Sequence, residues 1–284
     1  MANETTSSTL SELYTEIVAE ALFVAQEASV LRNLVTNYNI TGQGKEISVP
    51  IYAAVSAAAV AEATDLSNTA VNPTEATFTA SEHGVMTTLT DLGASTASRN
   101  VAADIGKLFG NAIAKRMDQD IIALFDGFST VVGTNSAAWT AAKSFEAAAE
   151  LRNQNLPVNE CNLVIHPYIA YDLKANATNS FVNPADARLQ NNVMGTGFVG
   201  SIAGMNVYES SNIDTLGGVT GDYLFAAFHP SAIGLALKQD LKIETQRDAS
   251  LRGTEIVATA VWGEGEIHDA YGVECVADSS IKSP

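Results

Sequence analysis

The sequence predicts an α+β fold with a long spine helix, an extended β-hairpin, a mixed α/β subdomain and an N-terminal arm. Three observations predict it. A helical stripe runs from Val101 to Phe125 without a proline. Two segments of period-two alternation, near 46–55 and 74–90, flank a polar stretch. After residue 140, helical and strand-like segments alternate, and the chain closes in extended apolar alternation.

The first eight residues are small and polar and carry no apolar anchor. Thr9 and Glu12 then fit a capping box. Leu10, Leu13, Ile17, Ala21, Val24, Ala28, Leu31 and Val35 follow at three- and four-residue spacing. That predicts an amphipathic helix, packed either on its own body or as an arm across a neighbour. "EISVPIYAAV" reads as a strand, and Pro50 places it at an edge because proline donates no ladder hydrogen bond. Residues 61–73 carry turn chemistry, and "TEATFTASEHGVMTTLTDLG" alternates again. Together they predict a long hairpin, poor in large core residues. A two-stranded hairpin alone is marginal in water, so this one needs support from its own domain or another subunit.

The spine helix is expected over "SRNVAADIGKLFGNAIAKRMDQDIIALFDG". Its predicted core stripe is Val101, Ile105, Leu108, Ala112, Met117, Ile121, Leu124 and Phe125, with Gly127 as the stop. The rod is about 40 Å long. "FSTVVGTNSAAWT" reads as a loop, "AAKSFEAAAELRNQN" as a helix, "CNLVIHP" as a short strand and "YIAYDLKAN" as a short helix. "MNVYES", "YLFAAFHP", "SAIGLALKQD" and "LKIETQRD" read as extended segments. The last alternating segment, from Thr254 to Asp278, is expected to turn at Gly263–Gly265 and to form a small antiparallel sheet, and the tail "SSIKSP" to be loose.

A chain of 284 residues suffices for one large domain or two smaller ones. Its net charge of −17 argues against wrapping nucleic acid, since that draws on Lys and Arg against phosphates. The charge is uneven: between Met1 and Ala97 eleven acids face only Arg32 and Lys45. Such a block is a solvated surface, or it meets basic surface on a partner or another copy. The two cysteines, Cys161 and Cys275, lie far apart and read as reduced and structural. The polar, acidic start is no secretory signal, and no apolar run approaches a membrane span.

Catalytic, cofactor and metal signatures are missing. "GTGFVG", Gly195 to Gly200, spells a dinucleotide-binding glycine pattern, but the residues before it are polar and those after it favour a strand. A phosphate cradle needs a strand before and a helix after, so the stretch is expected to be a glycine-rich connector. His83, His166, His229 and His268 show no metal-ligand spacing. His166 and His229, each before a proline, read as strand-end caps. Cys161 with His166, and His268 with Asp269, are weak catalytic pairs. Asp118 and Asp120 diverge on the spine and read as solvated, or in contact with Arg116.

This order of elements resembles the major capsid protein of tailed bacteriophages, from about residue 30 to residue 278. The most specific stretches are "GSIAGMNVYESSNI", "GDYLFAAFHPSAIGLALKQDLKIETQRD" and "AVWGEGEIHDAYGVECVAD". The resemblance implies an N-terminal arm at 1–44, an extended E-loop hairpin at 45–93 and the peripheral-domain spine helix within 94–134. It implies an axial domain at 135–225 and a β-rich return to the peripheral domain at 226–284. Inter-subunit contacts are expected at Leu13, Ile17 and Val24 on the arm and at Glu62, Asp65 and Asn68 on the hairpin tip. The expected product is an icosahedral shell of hexamers and pentamers, assembled in the host cytoplasm. It encloses double-stranded DNA without reading its sequence.

Implied partners are a portal protein, a decoration or cement protein and a scaffolding protein. Some relatives carry a scaffolding segment before the arm; here the fold begins almost at Met1, so a separate scaffold is expected. No enzyme activity, cofactor, metal or membrane is expected. Lys45 is a tempting cross-linking lysine, but the sequence names no partner for it. Two alternatives stay open: a nanocompartment shell that encloses protein cargo, and a fibrous or surface-layer protein.

Overall fold

The computed structural model describes residues 29–180 and 200–281, apart from residues 43, 97–100, 219 and 220 and single positions between 53 and 69. A 3-10 turn at Leu31–Asn33 leads into strand β1 (Thr36–Asn39), then β2 (Glu46–Ile51), β3 (Thr74–Thr79) and β4 (Ser81–Thr90). Helix α1 (Asp91–Thr96) precedes the spine helix α2 (Val101–Ala123), which tightens into a 3-10 turn at Leu124–Gly127. Strand β5 (Val131–Ala138), α3 (Ala141–Asn153), β6 (Asn162–Ile165) and α4 (Pro167–Ser180) follow. The chain ends through β7 (Ser201–Ile202), β8 (Met205–Glu209), β9 (Asp222–Phe228), β10 (Ile233–Asp248), β11 (Gly253–Glu266) and β12 (Gly272–Asp278).

Three sheets organise these elements. One has four strands in the order β1-β10-β11-β4, one has six in the order β5-β12-β9-β6-β8-β7, and β2 pairs only with β3. The spine helix packs against the four-stranded sheet, and Met117 and Ile121 are buried in the shared core. Its 3-10 end carries Phe125 to the six-stranded sheet, where the ring meets Phe228 at 5.5 Å. One continuous core therefore joins the two larger sheets. At 23 residues the spine is about 35 Å long.

β9, "DYLFAAF", is buried at every residue. It lies between β12 and β6, so both edges are paired. Trp139 closes one side of this layer: its ring meets Phe225 edge-on at 4.8 Å and its Nε1 donates to Ser144 Oγ of α3 at 2.9 Å.

Several expectations change. The helix predicted through Val35 is not helical at its described end: the chain makes a 3-10 turn and then β1, which pairs in parallel with β10. Leu31, Leu34 and Val35 are buried in the protein's own core. The hairpin read over 45–93 is shorter, because after β3 the chain leaves it and β4 pairs with β11. The spine stripe holds at Met117, Ile121 and Phe125, but Phe109 and Ile113 are buried where Leu108 and Ala112 were expected.

The segment read as a loop at 128–140 contains β5, paired with β12. β10 is one long strand rather than two, with register shifts between Leu237 and Lys242. The glycines at 263–265 form no turn and lie inside β11. The last segment divides, with β11 in the four-stranded sheet and β12 in the six-stranded sheet. The tail is tied at its start: Ser279 Oγ and Ser280 N both donate to Asp172 Oδ2 at 2.8 Å.

Candidate assembly surfaces

The β2–β3 hairpin leaves the body at one point. Ala80 N donates to Lys45 O at 2.6 Å across its root, and Lys238 Nζ donates to Gly44 O. Within the two strands only Phe78 is buried, at 1% exposure. Its ring lies on a floor of glycine backbone. A Cβ on Gly265 would fall 2.3 Å from that ring and one on Gly234 2.8 Å, while one on Gly263 would meet Thr79 O at 2.6 Å. Gly234 and Gly265 are direct partners across β10 and β11, so the floor is continuous. Any side chain there would lift the hairpin from the sheet. Tyr38 of β1 completes the seat, 6.1 Å from Phe78 between ring centroids.

Beyond this seat no described residue of the hairpin between Tyr52 and Pro73 is buried. β2 alternates between exposed and half-buried residues, and Pro50 sits in it opposite Glu75. Tyr52 is 65% exposed, and Val55, Val60 and Val71 are exposed as well. Glu62, Asp65 and Asn68 are all exposed. Leu13, Ile17 and Val24 lie outside the described residues.

The arm's root is held by Asp118, which is 1% exposed rather than solvated. One of its oxygens accepts from Ser29 Oγ at 2.8 Å and Leu31 N at 3.3 Å, the other from Val30 N at 3.4 Å and Asn212 Nδ2 at 3.3 Å. Burial pushes its carboxyl above the usual range, and these hydrogen bonds pull it partly back. Asp120 is buried too; it meets Arg116 one turn earlier on the spine at 2.8 Å, as one of its two expected readings had it, and further partners on β4 and β11.

At the far end of the four-stranded sheet, Arg247 holds Asp91 by two bonds of 2.6 Å. The hydrogen bonds to Arg247 lower the Asp91 carboxyl. Asp248 caps the β10–β11 turn by accepting from Ser250 N at 2.8 Å and Leu251 N at 3.2 Å, which leaves Leu251 exposed at the tip.

The weak catalytic pairs find other partners. Cys161 is buried beside Pro157 O, and burial, then the Glu160 charge, pushes its thiol up to about 11. His166 stacks on Tyr223 at 4.1 Å and its Nδ1 accepts from Tyr168 N, so it caps the end of β6. His229 caps its own turn through Ser231 N. Asp269 accepts from Ser129 N and Oγ, and His268 tilts against Tyr271.

Residues 195–199 of "GTGFVG" lie outside the described residues. Gly200 leads into β7 and a tight turn at Ala203 and Gly204, so a strand stands where a phosphate cradle needs a helix. Among the described residues no group of His, Cys, Asp or Glu is placed to hold a metal, and no helix is long and apolar enough to cross a membrane.

Sequence reasoning missed the Phe78 seat and the Asp118 tie. A signal for the seat exists: Gly263 and Gly265 are two apart inside an alternating segment, hence on one face of a strand. Nothing local marks Asp118, whose partners lie 87–94 residues away.

A family model described as phage capsid protein matches residues 74–273. No curated protein matches the sequence. Solved structures do resemble the fold. The capsid of cyanophage P-SCSP1u is 21% identical, with 89% of each chain covered and a TM-score of 0.68. Mycobacterium phage Che8 is 20% identical over 87% of this chain and 90% of its own, with a TM-score of 0.67. The capsid of Ralstonia phage GP4 reaches a TM-score of 0.71 over 88% of each chain at 8% identity. At such identities the likeness speaks for the fold, and the family match carries the rest.

Proposed function

Because this chain belongs to the phage capsid protein family and is a major capsid protein of a phage shell, we propose that its hairpin and N-terminal arm close the shell by lying on neighbouring copies. The observation that carries this is the β2–β3 hairpin, two strands held to their own body by one buried side chain. Two strands with no covering layer are marginal in water. A neighbouring copy in a closed lattice supplies the layer. Glu62, Asp65 and Asn68 at the exposed tip, and Leu13, Ile17 and Val24 on the arm, are the proposed contacts.

The copies form hexamers and pentamers in the host cytoplasm with the help of a scaffolding protein, with a portal at one vertex and decoration proteins outside. The chain acts as wall material and catalyses nothing. Its net charge of −17 suits a wall that encloses DNA without binding its sequence, since a repulsive lumen does not trap the genome during packing.

Negative-stain microscopy of the purified protein is expected to show shells of uniform diameter. Glu62→Lys with Asp65→Lys is expected to leave subunit stability within about 0.5 kcal/mol, since both residues are exposed, and to cut shell yield sharply. Normal shells from this variant would remove the tip from the assembly surface. Sheets or filaments from the native protein would overturn the closed-shell reading.

A further inference from the structure

The spine helix and the sheet it crosses meet over a polar cluster that assembly does not explain. His83, near the start of β4, lies flat on Trp262 of β11, with ring centroids 4.2 Å apart and planes within 17°. Its Nε2 is 2.9 Å from Ser81 Oγ and 3.8 Å from Asp120 Oδ2 on the spine. Trp262 Nε1 donates to that same Asp120 oxygen at 3.3 Å. Arg116, one helical turn earlier, reaches Asp120 Oδ1 at 2.8 Å. Glu264 lies two residues beyond Trp262 on the same face of β11. Its Oε2 is buried without a hydrogen-bond partner.

With both carboxylates ionised, two negative charges face one guanidinium. A buried carboxylate oxygen without a donor is costly. Proton uptake by Glu264 corrects this: the neutral carboxyl stops repelling Asp120. Among the described residues, Arg116 is the cation whose charge acts on Glu264. Glu266, next on the same face of β11, turns to Gly127 and feels Asp269. Glu82, beside His83, is on the exposed face of β4, and β10 places Leu235 opposite Glu264.

We propose that His83, Asp120, Arg116 and Glu264 form a proton-responsive clamp between the spine helix and the root of the extended hairpin, tighter in mild acid than at neutral pH. The clamp reaches the hairpin through the chain itself. His83 follows Phe78 by five residues, and Thr79 and Ala80 in between lie on Gly263 of the same strand that carries Trp262 and Glu264. This inference concerns the folded chain and stands whether or not the hairpin lies on a neighbour.

The sign follows from linkage. Burial, then the Asp120 charge, raises the Glu264 carboxyl above its ordinary value. Its stabilising contribution is therefore complete below that ordinary value and is lost as pH rises through the raised one. Burial also raises Asp118, Glu266 and Glu274, which share this sign, and lowers His166 and His268, which oppose it. A difference from a variant isolates the clamp.

The test is hydrogen exchange of β4 amides, corrected for intrinsic rates, with thermal midpoints of native protein, Glu264→Gln and Asp120→Asn between pH 4 and 8. Native β4 is expected to lose protection as pH rises across this range. Glu264→Gln is expected to keep its protection and to melt above native protein at pH 8, the two converging at the acid end. Asp120→Asn keeps an oxygen acceptor for Trp262 Nε1, removes the charge that repels Glu264 and is expected to shrink the native pH response. A Glu264→Gln profile parallel to native, or below it at pH 8, overturns the proposal. If that variant does not fold, an unchanged pH response in Asp120→Asn overturns it equally.

Discussion

β9 and the β2–β3 hairpin are both extended segments, and the fold treats them in opposite ways. Every residue of β9 is buried between two paired strands, and Phe225 meets Trp139 edge-on. Of the twelve positions in β2 and β3, six in each strand, only Phe78 is buried. The difference lies in what each strand is given to pair with. The six-stranded sheet closes its own core, whereas the hairpin keeps one anchor and presents the rest outward. The first region belongs to the subunit, and the second is the one we propose to be covered by another chain.

Three substitutions sharpen this contrast. Phe225→Ala should cost about 3–5 kcal/mol, as for large-to-small changes in closed cores. Chemical denaturation should show the whole subunit weakened, with shells lost as a consequence. Gly265→Ala should cost about 1–3 kcal/mol by overpacking, since its Cβ meets the Phe78 ring at 2.3 Å. Its signature is selective: hairpin amides exchange freely and shells fail to close, while β9 stays protected. Asp118→Ala should cost about 1–2 kcal/mol by leaving Ser29 Oγ and the amides of Val30 and Leu31 without their acceptor. Limited proteolysis should then cut near residues 29–31 while the hairpin root stays intact. Equal damage to both regions by any of the three would erase the distinction.

What could be read from the sequence follows the range of each interaction. The spine, α3, α4 and the alternating strands β2 and β3 are set by local periodicity, and they appear where that periodicity places them. The spine's buried face was misread at Leu108 and Ala112 because adjacent apolar residues, Phe109 and Ile113, fit a helical spacing as well. β5 was missed because Gly133, Asn135 and Ser136 carry turn chemistry, and only parallel pairing with β12, far along the chain, makes it a strand.

Gly263 and Gly265 were read as a turn because glycine serves tight turns and close approaches alike; the Phe78 ring decides between them. Asp118 was read as solvated because surface acids usually are, and its partners come from residues 29–31 and 212. On the assembly surface, the exposure of Glu62, Asp65 and Asn68 follows from local turn composition. The Phe78 seat at the hairpin's root is made by strands more than a hundred and fifty residues later.

The most direct test is hydrogen exchange on dissociated subunits and on intact shells under identical conditions. Amides of β9 should be protected in both. Amides of β2 and β3 should exchange rapidly in the subunit and become protected only in the shell. Equal, strong protection of β2 and β3 in the free subunit would contradict the claim that the hairpin lacks cover within its own chain.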